Sequence, residues 1–110
     1  MWDSYNCEVH IRNLAIDLDN FIRKEYPEIK KKFRLYYLSY FYKGKAILYI
    51  WLYKNKLRVF FKDKDNSLKF VSDKIPKGIT IGFNKRLELS DIKKFNETKS
   101  IIREYFNSYL

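Results

Sequence analysis

Cys7 and His10 stand three residues apart in a stretch of helical apolar spacing, so the thiol and the imidazole fall within reach of each other, with Glu8 nearby. Such a pair is the raw material of a thiolate nucleophile or of half a zinc site. Either use needs further ligands or a third, orienting group, and these are the only cysteine and the only histidine of the chain. The pair therefore reads as the start of a surface helix, and no metal or catalytic role is assigned to it. Asp63-x-Asp65-x-Ser67 has the opening spacing of a calcium loop, but Leu68 stands where the loop requires glycine and Lys74 where it requires glutamate. Asp63 and Asp65 are better read as turn-formers. Glu28-Ile29-Lys30 has the acid-x-lysine form of metal-dependent nucleases, yet it lacks an upstream acidic strand residue and follows Pro27 directly. The three glycines, Gly44, Gly78 and Gly82, are isolated, so no phosphate-cradling loop is formed. The expectation is a protein without catalytic residues, metal or cofactor.

The chemistry that remains is that of rings and positive charge. Ala46 to Lys62 reads as two strands joined at Lys54-Asn55-Lys56, with Asn55 able to take the left-handed conformation of a tight hairpin. Alternation puts Ala46, Leu48, Ile50 and Leu52, then Leu57, Val59 and Phe61, on one face as core. The opposite face receives Ile47, Tyr49, Trp51 and Tyr53, then Arg58, Phe60 and Lys62. Aromatic rings stack on unpaired bases, and interleaved cations track phosphates. Tyr49, Trp51, Tyr53, Arg58, Phe60 and Lys62 are thus candidate nucleic-acid-binding residues, on a face expected to lack an intramolecular cover. Lys30, Lys31, Lys32 and Arg34 join them from the basic run Arg23 to Arg34, where six cations face only Glu25 and Glu28. Lysines at strand ends also serve simply to block edge-to-edge pairing, and the rings would equally suit a protein interface.

These residues need elements to position them. Ser4 to Glu25 has the stripe Ile11, Leu14, Ala15, Leu18 and Ile22 of an amphipathic helix. Pro27 to Phe33 reads as a short helical turn, and Leu35 to Tyr42 as a first strand whose two faces are equally apolar. Gly44 supplies the positive φ of a turn at Lys43-Gly44-Lys45. After the central hairpin come a turn at 63–66, a short strand at 67–71, a loop at 73–78, and an alternation over 79–83 and 85–89 that gives one bent strand or two short ones near Asn84. Ser90 is placed to cap a last helix with the stripe Ile92, Phe95, Lys99, Ile102, Phe106 and Tyr109. The fold class is α+β: an antiparallel sheet of four to five strands, with an N-terminal and a C-terminal helix packed on one face.

A chain of 110 residues forms a single domain, 1–110, with one core. Lys plus Arg number 23 against 13 Asp plus Glu, a net charge of +10 that favours anionic partners: nucleic acid, or an acidic protein surface. One cysteine permits no internal disulfide, and no apolar run approaches the roughly 18 residues of a membrane span. The first ten residues lack the basic and apolar regions of a signal peptide. The expected location is cytoplasmic, either as a whole protein or as one domain of a longer one.

Tyr37-Leu38-Ser39-Tyr40, the strand Leu57-Arg58-Val59-Phe60-Phe61-Lys62, and Gly82 to Ser90 leading into Asp91-Ile92 carry a family likeness. Over about Asn13 to Leu110 the chain resembles the small family catalogued as domain of unknown function 5655, the so-called predicted transport protein type. Members typically form the C-terminal part of longer proteins, some with nuclease-like or restriction-related N-terminal domains. The resemblance implies an accessory module and brings no catalytic residues with it. This chain departs from the pattern in being unusually basic and aromatic. The expected function is a non-catalytic basic module that contacts nucleic acid through an aromatic and basic sheet face. The alternative is a protein-interaction or inhibitor module, with the same face docked on an acidic partner or on a second copy as a homodimer.

Overall fold

The computed structural model describes residues 2–64, 68, 72, 74–75 and 82–110. Five strands form one antiparallel sheet in simple sequence order: β1 (Lys30–Phe33), β2 (Tyr37–Tyr42), β3 (Lys45–Leu52), β4 (Leu57–Phe61) and β5 (Lys85–Leu89). Helix α1 (Val9–Glu25) precedes the sheet and α2 (Phe95–Tyr109) follows it. Both helices pack on one face, which makes an α+β layer. Neither is long and apolar enough to cross a membrane.

The helix-bearing face is the one that alternation selects. Leu48, Ile50, Leu52, Leu57, Val59 and Phe61 are buried there with Leu38 and Tyr40, against Ile11, Leu14, Ala15, Leu18 and Ile22 of α1 and Ile102, Tyr105 and Phe106 of α2. Each fully buried aliphatic or aromatic side chain contributes about 1.5–3 kcal/mol relative to exposure. Truncation of Ile50, at the centre of β3, would cost about 2–5 kcal/mol because a cavity would remain.

One inversion corrects that assignment. Tyr40 pairs with Leu48 but Phe41 pairs with Ala46, so Ile47 is an extra residue on β3, a β-bulge. The bulge reverses the faces before it. Ile47 is buried in the helix-side core, and Ala46 packs with Tyr49 and Phe60 on the other side.

Three boundaries differ from the expected ones. Helix α1 begins at Val9, since Trp2–Ser4 is a separate 3-10 turn whose neighbour Tyr5 is buried. The Tyr5 hydroxyl lies 2.7 Å from the Arg34 carbonyl and 3.0 Å from that of Tyr37, and donates its one proton into this pair. Residues 30–33 are no helical turn. They form β1, an edge strand in which Lys31 and Phe33 point to the helix side and Lys30 and Lys32 to the other. The turn after Pro27 closes with a hydrogen bond from the Ile29 amide to the Tyr26 carbonyl, and it releases the chain directly into the sheet. At the far end Asp91, not Ser90, is the cap: its carboxylate accepts from the Lys93 amide at 2.9 Å and starts a 3-10 turn that leads into α2. The buried face of α2 is Thr98, Ile102, Tyr105 and Phe106, and Ile92 is exposed.

The Lys43-Gly44 turn has both φ values positive, 50° and 79°, the geometry that a two-residue hairpin loop requires. Most of the strand expected at 67–71 and part of that at 79–83 lie outside the described residues. Of the former, Leu68 is buried in the main core and its amide donates to Asp63. Ser72 forms an isolated antiparallel bridge with Arg86. Before β5, the Asn84 side chain accepts from the Asp63 amide at 2.7 Å and donates to its carbonyl at 2.8 Å.

Candidate nucleic-acid interface

The registers of the five strands arrange the helix-free face in rows. One row runs Tyr37, Trp51, Arg58, Glu88 across β2 to β5. The next runs Lys32, Ser39, Tyr49, Phe60, Arg86 across all five strands. Directly opposed side chains in such rows are close enough to touch. The Tyr37 and Trp51 rings stack at 4.6 Å with planes 9° apart. Tyr36, from the β1–β2 turn, and Tyr53, from the end of β3, extend the group to Trp51 at 6.5 and 6.2 Å.

The two rows differ in access. Over the second lies Phe83, stacked on Tyr49 at 4.1 Å with planes 16° apart, and Ile75 packs on the same cluster. Tyr49 is only 6 % exposed and Phe60 is 0 % exposed. The expectation of an uncovered face is corrected here: neither ring presents a surface on which a base could stack. Lys62 belongs to this cover, with its ammonium 5.1 Å from the Phe83 ring centre.

The first row stays accessible at one end. Trp51, Tyr53, Arg58 and Tyr37 are half-buried, while Leu35 and Tyr36 of the adjoining turn are 74 % and 61 % exposed. The Arg58 guanidinium sits 5.0 Å from the Tyr53 ring centre and donates to Glu88 at 2.9 Å. Partial burial works against the Glu88 charge, but the bond from Arg58 and the nearby Lys56 outweigh it and hold the carboxyl below its usual range. The Trp51 indole N–H is buried with no hydrogen-bond partner among the described residues.

The expected basic group divides. Lys30, Lys32 and Arg34 are exposed along the sheet edge, and the Lys32 ammonium lies 5.8 Å from the Phe41 ring centre. Lys31 turns inward, its side chain 16 % exposed, and donates to the buried Asp19 carboxylate at 2.8 Å. The other Asp19 oxygen accepts from the Tyr40 hydroxyl at 2.8 Å, and Arg23 approaches at 3.7 Å. Burial first, then the adjacent Asp19 charge, push the Tyr40 hydroxyl well above its ordinary pKa.

Tyr36 and Tyr37 are the residues that alternation missed. The stretch Leu35 to Tyr42 is apolar on both faces, and the Ile47 bulge shifts the pairing so that Tyr37, not Tyr36, lies opposite Trp51. Counting pairs outward from the Lys43-Gly44 turn finds the right partner only if the bulge is known. Elsewhere, His10 lies 3.7 Å from Glu8, and Cys7 is half-buried against the main core. Among the described residues no three His, Cys, Asp or Glu side chains gather in a metal-binding group. Comparison with protein-family models, with curated proteins and with solved structures finds no match to this chain.

Proposed function

We propose that this chain is a non-catalytic nucleic-acid-binding module that receives unpaired bases at Tyr36, Trp51 and Tyr53 and follows the backbone with Lys32, Arg34 and Arg58. The observation that carries the reading is the group of four near-parallel rings at one end of the helix-free face, beside exposed cations of the β1 edge. Rings held in place by their neighbours lose little freedom when a base stacks on them, and each such stack is worth about 1–3 kcal/mol. A net charge of +10 supplies the attraction to phosphate that does not depend on sequence. An accessory role, as the family resemblance implies, fits a module of this kind.

Titration of the protein with short single strands and with duplexes at two salt concentrations tests the reading. Single strands should bind more tightly, and their affinity should fall steeply as salt rises. A second reading has its own support: Leu35, the most exposed of the large apolar side chains described, stands beside Tyr36, as at a protein interface. In that case the ring group docks on an acidic protein or on a second copy. Neither oligonucleotide would then bind, and light scattering would find a dimer or a pull-down an acidic partner.

A further inference from the structure

We infer that the outer edge of β1 is a strand-addition site for an extended acidic segment of a partner protein. The sheet has two edges, and they differ. At β5 the Arg86 amide donates to the Ser72 carbonyl at 2.7 Å, in the isolated bridge at that edge. At β1 the Arg34 amide donates to the Tyr37 carbonyl at 2.8 Å, which makes 34/37, 32/39 and 30/41 the hydrogen-bonded pairs with β2. The amide and carbonyl of Lys31 and of Phe33 therefore face outward, and no hydrogen bond reaches them from the described residues.

Such an edge offers donors and acceptors in alternation. A phosphate backbone accepts but does not donate, so it answers only the amides, whereas an added peptide strand answers both. Side chains decide which peptide. Lys30 and Lys32 leave the edge on the helix-free face, both exposed, and Arg34, also exposed, follows them in the alternation. A partner strand sets one of its own faces directly opposite these three cations. Carboxylates are favoured there, while a second copy of β1 would set cation against cation in a chain that already carries +10. The lysines that block pairing with a like strand thus select an acidic one.

On the helix side, the Lys31 ammonium is drawn to Asp19 at 2.8 Å instead of lying across the edge. The half-buried Phe33 and Trp2 rings meet edge-on at 5.2 Å and present apolar surface to a residue opposite Phe33. The segment that fits therefore alternates acidic with apolar side chains. It would cover Lys32 and Arg34, the cations assigned above to a phosphate backbone, so the two ligands exclude one another at this edge. The inference stands without the nucleic-acid reading, since no ring of the Trp51 group takes part.

The probe is a synthetic peptide of alternating glutamate and valine, titrated against the full chain while amide exchange is followed by NMR. Binding should slow exchange at the Lys31 and Phe33 amides and change little at Lys30 and Lys32, which are already bonded to β2. N-methylation of the valine amides, which would face the edge, should weaken binding about tenfold at unchanged charge. N-methylation of the glutamate amides, which face away, should not. The variant Lys30→Glu with Lys32→Glu should lose the peptide and bind a lysine–valine one instead. Both side chains are exposed, and thermal unfolding confirms that the variant remains folded. A peptide that binds equally well when its valine amides are methylated is held by charge alone, which overturns the inference. No binding overturns it too and leaves the lysines a protective role only. Lys31 and Phe33 amides protected in a peptide-free dimer would assign the edge to a second copy, and protection by an oligonucleotide but by no peptide would assign it to nucleic acid; either result overturns the acidic segment.

Discussion

The Tyr105 hydroxyl of α2 donates to the Ile47 carbonyl at 2.5 Å and accepts from the Lys62 amide at 3.2 Å. It thereby ties the last helix to the bulge of β3 and to the end of β4. A bulge leaves main-chain groups without ladder partners, and a buried carbonyl without one costs about 1–3 kcal/mol. Tyr105→Phe removes the hydroxyl and keeps the ring, which packs edge-on against Phe61. Denaturant unfolding should show a loss of about 1–3 kcal/mol, with no change in the sheet content read by circular dichroism. An unchanged midpoint would mean that water reaches the Ile47 carbonyl.

Asp19 and Lys31 form the second polar anchor, this time between α1 and the edge strand. Removing one member of a buried pair leaves the other uncompensated, at about 3–5 kcal/mol. Asp19→Ala should approach that range, since the Tyr40 hydroxyl loses its acceptor together with the Lys31 ammonium. Tyr40→Phe should cost about 1 kcal/mol. Measurement of both variants and of the double variant gives the Asp19–Tyr40 coupling; simple additivity would show that this bond contributes nothing to stability.

The tyrosines set an alkaline limit. Burial raises the pKa of Tyr40 and of Tyr105 above the ordinary 10.0, so the folded state holds both protons more tightly than the unfolded chain does. Their contribution to stability is fully present below about pH 10 and is lost as pH rises beyond it. Spectrophotometric titration should find Tyr40 and Tyr105 ionising only as the fold is lost. In the variant Tyr40→Phe, one fewer tyrosine should titrate in that late phase. A single smooth titration of all the tyrosines in the folded protein would contradict the burial of these two.

The architecture could be read from the sequence because its strongest signals were periodic. The stripe Ile11, Leu14, Ala15, Leu18, Ile22 and the alternation of Leu48, Ile50, Leu52 with Leu57, Val59, Phe61 each match one period closely, and all eleven lie in the core. The edge strand escaped because Lys30-Lys31-Lys32 looks like a solvated turn. What makes it a strand is remote: Asp19 on α1 receives Lys31, and β2 supplies the ladder. The bulge escaped because Ala46 and Ile47 are both acceptable core residues, so nothing local favours either face. The cover on Tyr49 and Phe60 comes from Phe83, more than twenty residues along the chain, and periodicity carries no such information.

Two rings of the candidate interface should separate binding from folding. Tyr36 is 61 % exposed and sits in a turn, so Tyr36→Ala should change stability by no more than about 0.5 kcal/mol. Trp51 is half-buried and stacked on Tyr37, so its truncation should weaken the fold by about 2 kcal/mol as well as binding. If bases stack at this end of the sheet, Tyr36→Ala lowers affinity for single strands by about 1–3 kcal/mol in a protein of unchanged melting temperature. Arg34→Ala should cost less affinity at low salt and reduce the salt slope by about one phosphate contact, because it removes a charge and no stacking surface. Phe60→Ala is the contrasting case: buried beneath Phe83, it should destabilise by about 3–5 kcal/mol, and the fraction that stays folded should retain full affinity. Affinity that survives Tyr36→Ala but falls with Leu35→Ala would move the interface onto apolar contact and favour a protein partner.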